Sequence, residues 1–248
     1  MKTKNILGIE IDNVPKYQIL EKIKKYLYQG KDFVHIVSVN PENIVIAQEN
    51  KEFKKVINTA QIKIRDGVGV VLAGKILGVP VGERVAGVDL MKELIAIASK
   101  MSLRVLLIGG KPNLANTLAN CYQQAYPQAK FVGFEAIKNI KKINPDEERK
   151  LFSIVSALKP HLVFVAFGSP DQELWLERHK DKFKGSVCMG VGGAFDYLSG
   201  KVPRAPVFLQ NLGFEWLFRL VNQPWRWRRQ LRLVKFLWLM ARERIKRR

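Results

Sequence analysis

Residues 61–71 read Gln61-Ile62-Lys63-Ile64-Arg65-Asp66-Gly67-Val68-Gly69-Val70-Val71. Apolar and polar residues alternate into an Arg-Asp-Gly corner, and an apolar segment of helical spacing begins just beyond it. The stretch reads as a short strand turning into a helix, with a carboxylate at the strand's carboxyl end. In open α/β sheets ligands bind in the crevice outside those ends, which places Asp66 for chemistry rather than for packing. The competing reading is that Asp66 caps the helix starting near Val68, because aspartate is a favoured N-cap.

The same punctuation recurs on both sides of this stretch. Residues 6–11 form an extended apolar run and 16–28 have helical periodicity. Residues 33–39 are β-branched and end in Asn40-Pro41-Glu42-Asn43, where proline is tolerated in a first helical turn and Asn40 is the expected cap of a helix running toward Gln48. Beyond Asp66, a short helix over 70–77 closes at Gly78-Val79-Pro80. A glycine-punctuated loop, 82–89, follows, with Asp89 expected to cap a helix to about Lys100. Arg84 in that loop offers a planar fork of donors suited to a diphosphate.

Two regular units come next. Strand 104–108, the turn at Gly109-Gly110, helix 114–126 and strand 129–134 make the first. Its two glycines would let backbone N–H groups approach an anion at a helix N-terminus. Helix 145–158, strand 162–167 and Gly168-Ser169-Pro170-Asp171-Gln172-Glu173 make the second, where Gln172 either hydrogen-bonds a sugar or base or caps the next helix. Strand 186–189 then enters Gly190-Val191-Gly192-Gly193-Ala194-Phe195-Asp196. This run lacks a full G-x-G-x-x-G and no acidic residue closes a ribose site, so a nicotinamide enzyme is disfavoured. The alternation predicts an α/β fold with a doubly wound, mostly parallel sheet and helices on both faces. Ser38/Asn40, Asp66, Gly109/Gly110, Ser169/Gln172 and Gly192/Asp196 all follow strands. They are therefore expected to share one composite, nucleotide-type site at one edge of the sheet.

With 248 residues, 47% of them hydrophobic, the chain suits one α/β domain, residues 1–202, and an appendage, 203–248, set off by Pro203, Pro206 and Pro224. Cys121 and Cys188 read as reduced core residues. His35, His161 and His179 read as core or near-core side chains, since none has a second His or Cys at ligand spacing. The start, Met1-Lys2-Thr3-Lys4, is charged too soon for a signal peptide, and no uncharged run approaches spanning length; neither export nor a membrane span is expected. Net charge is +20, and residues 219–248 carry eleven Lys/Arg against one acid, Glu243, half of the total. An acidic partner is implied, either nucleic acid or an anionic membrane face. In the tail Trp227, Leu231, Val234, Trp238, Ala241 and Ile245 recur on one helical face beside a stripe of Arg228, Arg232, Lys235, Arg242 and Lys246. That pattern suits a helix lying in a membrane interface, or one packed on the core or a partner. No nucleic-acid-binding module is recognisable, which disfavours nucleic acid.

Taken together, Val39-Asn40-Pro41-Glu42, Arg65-Asp66-Gly67, Glu83-Arg84-Val85-Ala86-Gly87-Val88-Asp89, Gly168-Ser169-Pro170 with Gln172-Glu173, Gly192-Gly193-Ala194-Phe195-Asp196 and Gly213-Phe214-Glu215-Trp216-Leu217-Phe218-Arg219 resemble the WecG/TagA/CpsF family of bacterial glycosyltransferases. The likeness covers nearly the whole chain. Ser38 stands where the family often has Thr and keeps the hydroxyl. Asp171 stands where Lys is common, which speaks against a phosphate role there. The resemblance implies transfer of an N-acetylhexosamine, N-acetylmannosamine in the best-studied members, from a UDP-sugar to undecaprenyl-diphosphate-linked GlcNAc through a β-1,4 link. The setting it implies is wall teichoic acid synthesis at the cytoplasmic membrane face, by inversion, without metal or other cofactor. No Asp-x-Asp metal motif occurs in the sequence. On this reading Asp66 is the base, Ser38 and Asn40 orient it or the acceptor, and Arg84, Gly109, Gly110, Gln172, Gly192, Gly193 and Asp196 line the donor pocket. Arg219, Arg226 and Arg229 of the appendage fold over the diphosphate, and docking on the membrane completes the site. The exposed tail is also a surface for self-association. Mannosaminuronate, glucose or galactose nucleotides stay open as donors, as do a basic nucleic-acid-binding protein and an assembly factor as other classes.

Overall fold

Strands buried on both faces pair in parallel beneath two layers of helix. That is the arrangement in the computed structural model, which describes residues 5–135, 140 and 143–247. Met1–Lys4, the start read above as no export signal, and Arg248 lie outside the described residues. In chain order the elements are β1 (Asn5–Ile6), β2 (Ile9–Glu10), α1 (Lys16–Gln29), β3 (Val34–Val39), α2 (Pro41–Glu49), α3 (Lys51–Thr59), β4 (Ile62–Arg65), α4 (Val68–Leu77), α5 (Gly87–Lys100), β5 (Arg104–Gly109) and α6 (Leu114–Ala125). They continue with β6 (Lys130–Phe134), α7 (Pro145–Leu158), β7 (Leu162–Ala166), α8 (Asp171–Arg178), β8 (Val187–Gly190), α9 (Ala194–Leu198), α10 (Val207–Leu212), α11 (Glu215–Asn222) and α12 (Trp227–Lys246).

Strands β3 to β8 form one parallel sheet in the order β4-β3-β8-β7-β5-β6. Successive side chains enter opposite layers: Val105 and Leu107 of β5 join the core under α1, α5 and α6, while Leu106 and Ile108 join the one under α7 and α8. A third cluster lies under α2, α3 and α4. The doubly wound, parallel α/β fold read from the sequence is the one observed.

Some local expectations are corrected. Residues 6–11 are not one extended run: Leu7 and Gly8 take positive φ and fold β1 onto β2 as an antiparallel hairpin apart from the main sheet. Cys121 is exposed, because α6 buries Leu114, Ala115, Leu118 and Ala119 and turns Cys121 outward; Cys188 is buried in β8. Helix α5 starts at Gly87, so Asp89 lies in its first turn rather than at its cap.

The C-terminal helices sit against the sheet domain. Phe236 and Met240 of α12 are buried in the cluster that holds α2 and α4 residues, and Leu233 and Leu239 pack on its edge. Trp227, Leu231, Val234, Trp238 and Ile245, on the other side of α12, are exposed. Its packed and exposed faces are thus both apolar. Ion pairs of Arg232 and Arg229 with Glu42 and of Lys235 with Glu49 hold it to α2. Among the described residues no helix is long and apolar enough to cross a membrane.

Candidate active site

The corner that opens the chain's reading is braced from behind. Arg65 is buried, and its guanidinium donates to the carbonyl oxygens of Asp12, Val14 and Glu83 at 2.6, 2.7 and 2.8 Å. The Asp66 N–H donates to the Val39 oxygen at 2.9 Å, fastening the end of β4 to β3. Helix α4 has Gly67 at its cap position and no side-chain cap, so the Asp66 carboxylate is not used for capping. It lines a cleft instead, beside the Gly87 backbone N–H. Burial raises its pKa to about 6, with Glu215 adding to the rise and Arg84, the Gly87 N–H and Arg204 opposing it. A carboxylate so tuned is ionised near neutral pH yet able to hold a proton.

The cleft, about 600 Å³, opens at the carboxyl ends of β3, β4, β5, β7 and β8. It brings together Ser38, Asn40, Asp66, Gly110, Gln172, Gly192, Gly193, Asp196, Arg219, Arg226 and Arg229. Asn40 also caps α2, accepting from the Asn43 N–H at 2.8 Å. Two expected residues stand off from this lining. Gly109 lies behind it, so close to the Phe167 ring that a Cβ would collide. Arg84 donates to the Gln210 carbonyl at 2.8 Å and to Glu215 at 2.6 Å. Gln172 reaches the cleft, but its carboxamide is engaged: Oε1 accepts from the Gly168 and Gly192 N–H groups at 3.1 and 3.0 Å, and Nε2 donates to Glu173 at 2.7 Å. It joins the loops after β7 and β8.

Cations converge on the other wall. The Arg219 guanidinium lies 4.8 Å from the Tyr197 ring centre and against Gly193, where a methyl group would overlap it. Its Nε and Nη2 are buried without a hydrogen-bond partner. Burial and the neighbouring Arg219 and Arg229 charges lower the Arg226 pKa to about 10. Three arginines thus stand close together, with unmet donors on Arg219 and with Arg229 paired to Glu42; a cluster of this kind suits a multivalent anion.

Several residues here escaped the sequence reading. Lys111 pairs with Asp196 at 2.8 Å across the cleft. Glu215 takes Arg84 and Arg204, and Arg204 also grips Asp89, so Glu215 is the knot that ties α11 to the sheet domain. Such partners lie 131 positions apart in the case of Arg84 and Glu215, and no periodicity signals them. A second, mostly apolar cavity of about 590 Å³ runs between α4 and the C-terminal helices and shares Asp66, Asn40, Arg219, Arg226 and Arg229 with the cleft.

A strand-end crevice in a doubly wound sheet, with the buried Asp66 carboxylate and an arginine cluster in one cleft, is the place where open α/β enzymes bind their ligands. The chain belongs to the Glycosyl transferase WecG/TagA/CpsF family, whose pattern matches residues 4–248. It is 30% identical to the N-acetylglucosaminyldiphosphoundecaprenol N-acetyl-beta-D-mannosaminyltransferase of Bacillus subtilis (strain 168), over 98% of this chain and 93% of that one. The proteins of the same name from Bacillus spizizenii and Staphylococcus aureus (strain MW2) are 33% and 32% identical, over 86% and 92% of this chain and 80% and 87% of theirs.

Proposed function

We propose that this chain is an inverting, metal-independent glycosyltransferase that moves N-acetylmannosamine from UDP-ManNAc onto undecaprenyl-diphosphate-linked GlcNAc, forming a β-1,4 link in teichoic-acid-type synthesis. The donor and acceptor rest on the names of the relatives. The observation that carries the chemistry is the meeting of Asp66 with Arg219, Arg226 and Arg229 where the two cavities join.

Asp66 takes the proton of the acceptor hydroxyl as its oxygen bonds to the anomeric carbon. The bond from that carbon to the UDP oxygen breaks on the opposite face, and UDP leaves with the electron pair. The developing negative charge falls on Arg219, whose Nε and Nη2 have no hydrogen-bond partner. Ser38 and Asn40 orient the acceptor, while Gly110, Gly192, Gly193 and Asp196 line the donor's place. Gln172 acts through the loops it joins, Gly109 acts from behind, and Arg84, which lines the second cavity with Asp66, acts by holding Glu215. The 203–248 segment acts as the appendage that closes the cleft. Its exposed tryptophans and leucines beside basic residues support a peripheral position on the anionic inner face of the plasma membrane.

The test is UDP release from a panel of UDP-sugars, with a short-chain lipid-diphosphate-GlcNAc acceptor and EDTA present. UDP-ManNAc alone is expected to support acceptor-dependent release. Turnover with another UDP-sugar in its place, or its abolition by EDTA, contradicts the proposal.

A further inference from the structure

The apolar cavity has a direction. Its inner end is Asp66 with the three arginines; its middle is walled by Ala73 of α4 and Phe236 and Met240 of α12. Its outer end is formed by Leu72, Ile76 and Leu237, which are 51%, 47% and 59% exposed. Trp216, which lines the same cavity, is also exposed to solvent. Polar recognition thus gives way to hydrocarbon along one path, and the path ends among side chains suited to a bilayer interface. Water-filled apolar channels are costly, and exposed leucines flanking a groove mark a binding surface.

We infer that this groove between α4 and α12 holds the first isoprene units of the acceptor's lipid chain, threading them from the arginine cluster to the membrane. The inference rests on the function proposed above. Its chemistry follows from order: an acceptor with a hydroxyl at one end, then a diphosphate, then hydrocarbon meets Asp66, then Arg226 and Arg229, then the apolar walls, while Arg219 is left for the departing UDP. Neither the uridine end of a donor nor a nucleic acid has such a tail. Helix α4 therefore joins the appendage in receiving the lipid, although nothing in its sequence is basic enough to suggest a membrane helix: Lys75 is its one cation.

The experiment compares two GlcNAc-diphosphate acceptors in detergent-free buffer, one with a geranyl chain and one with a methyl group, using the full chain and UDP-ManNAc. The wild type is expected to favour the geranyl acceptor by about tenfold or more in kcat/KM. The triple variant Leu72→Gln, Ile76→Gln, Leu237→Gln is expected to reduce that preference to about threefold or less. UDP protection against thermal unfolding reports whether the variant is folded. An unchanged preference in a variant that UDP still protects overturns the inference. So does a dimer in the wild type that the substitutions dissolve with the preference intact, which would make the groove a contact between copies. A diazirine at the end of the geranyl chain provides the second measurement, independent of the variant: labelling of residues 68–77 and 227–246 is expected, and labelling confined elsewhere overturns the groove. Turnover of both acceptors without preference would remove the groove and leave the proposed reaction standing. Labelling of the groove with no turnover of either acceptor would remove the reaction and leave the groove.

Discussion

At the scale of single residues, the chemistry turns on a carboxylate that is costly to ionise. Because Asp66 has its pKa raised from 3.8 to about 6, kcat/KM is expected to fall about tenfold per pH unit below 6 and to level off above it. A pH profile checks this; a flat profile between pH 5 and 7 contradicts it. The same shift bears on stability. An acid whose pKa is higher when folded loses stability as pH rises from 3.8 through 6, so Asp66→Asn is expected to be more stable than wild type at pH 7, by about 3 kcal/mol, and to unfold at higher temperature, with the gap closing near pH 4. Calorimetry at the two pH values measures it. Gly193→Ala would drive a methyl group into the Arg219 guanidinium and is expected to lower kcat/KM by about tenfold or more, with little change in unfolding temperature. The position of Asp66 was legible because a strand end followed by glycine is a local signal. The engagement of Arg84 and Gln172 was not, since a motif says which side chains are near a site and nothing about which neighbour takes their hydrogen bonds.

At the scale of elements, the strands and helices of the sheet domain were readable because β-branched runs and helical periodicity persist over whole elements. Helix α12 was read in part. Periodicity revealed its tryptophan face, which is exposed, but the opposite apolar pair, Phe236 and Met240, is buried against α2 and α4. A helix that is apolar on two sides offers no way of telling from spacing alone which side meets protein. Its partner helix α11 is held chiefly through Glu215, whose side chain is mostly buried between Arg84 and Arg204. Glu215→Gln leaves two guanidinium groups short of their carboxylate, a loss of about 2 kcal/mol in local docking. Limited proteolysis is expected to cut residues 203–226 faster in this variant while the sheet domain resists. Equal cutting rates would show that the knot is elsewhere.

At the scale of the whole molecule, charge and apolar surface are concentrated on one side. Residues 219–248 hold half of the net charge of +20, and the exposed aromatic and aliphatic side chains cluster on α10, α11 and α12. Binding to vesicles containing anionic lipid is expected to weaken as salt rises from 0.05 to 0.5 M, roughly as screening shortens the reach of these charges, and tryptophan emission to shift to the blue on binding. Salt-independent binding with no spectral shift would contradict an interfacial tail. The juxtaposition of tail and cleft was legible only through family resemblance; composition by itself left an acidic partner of either kind. The most direct test of the central claim, that Asp66 removes the acceptor's proton where both substrates meet, is to measure UDP-ManNAc affinity and acceptor-dependent turnover side by side in wild type and Asp66→Asn. Donor affinity is expected to stay within about threefold and turnover to fall by about a hundredfold or more. Turnover near the wild-type rate with the donor bound as tightly would contradict it.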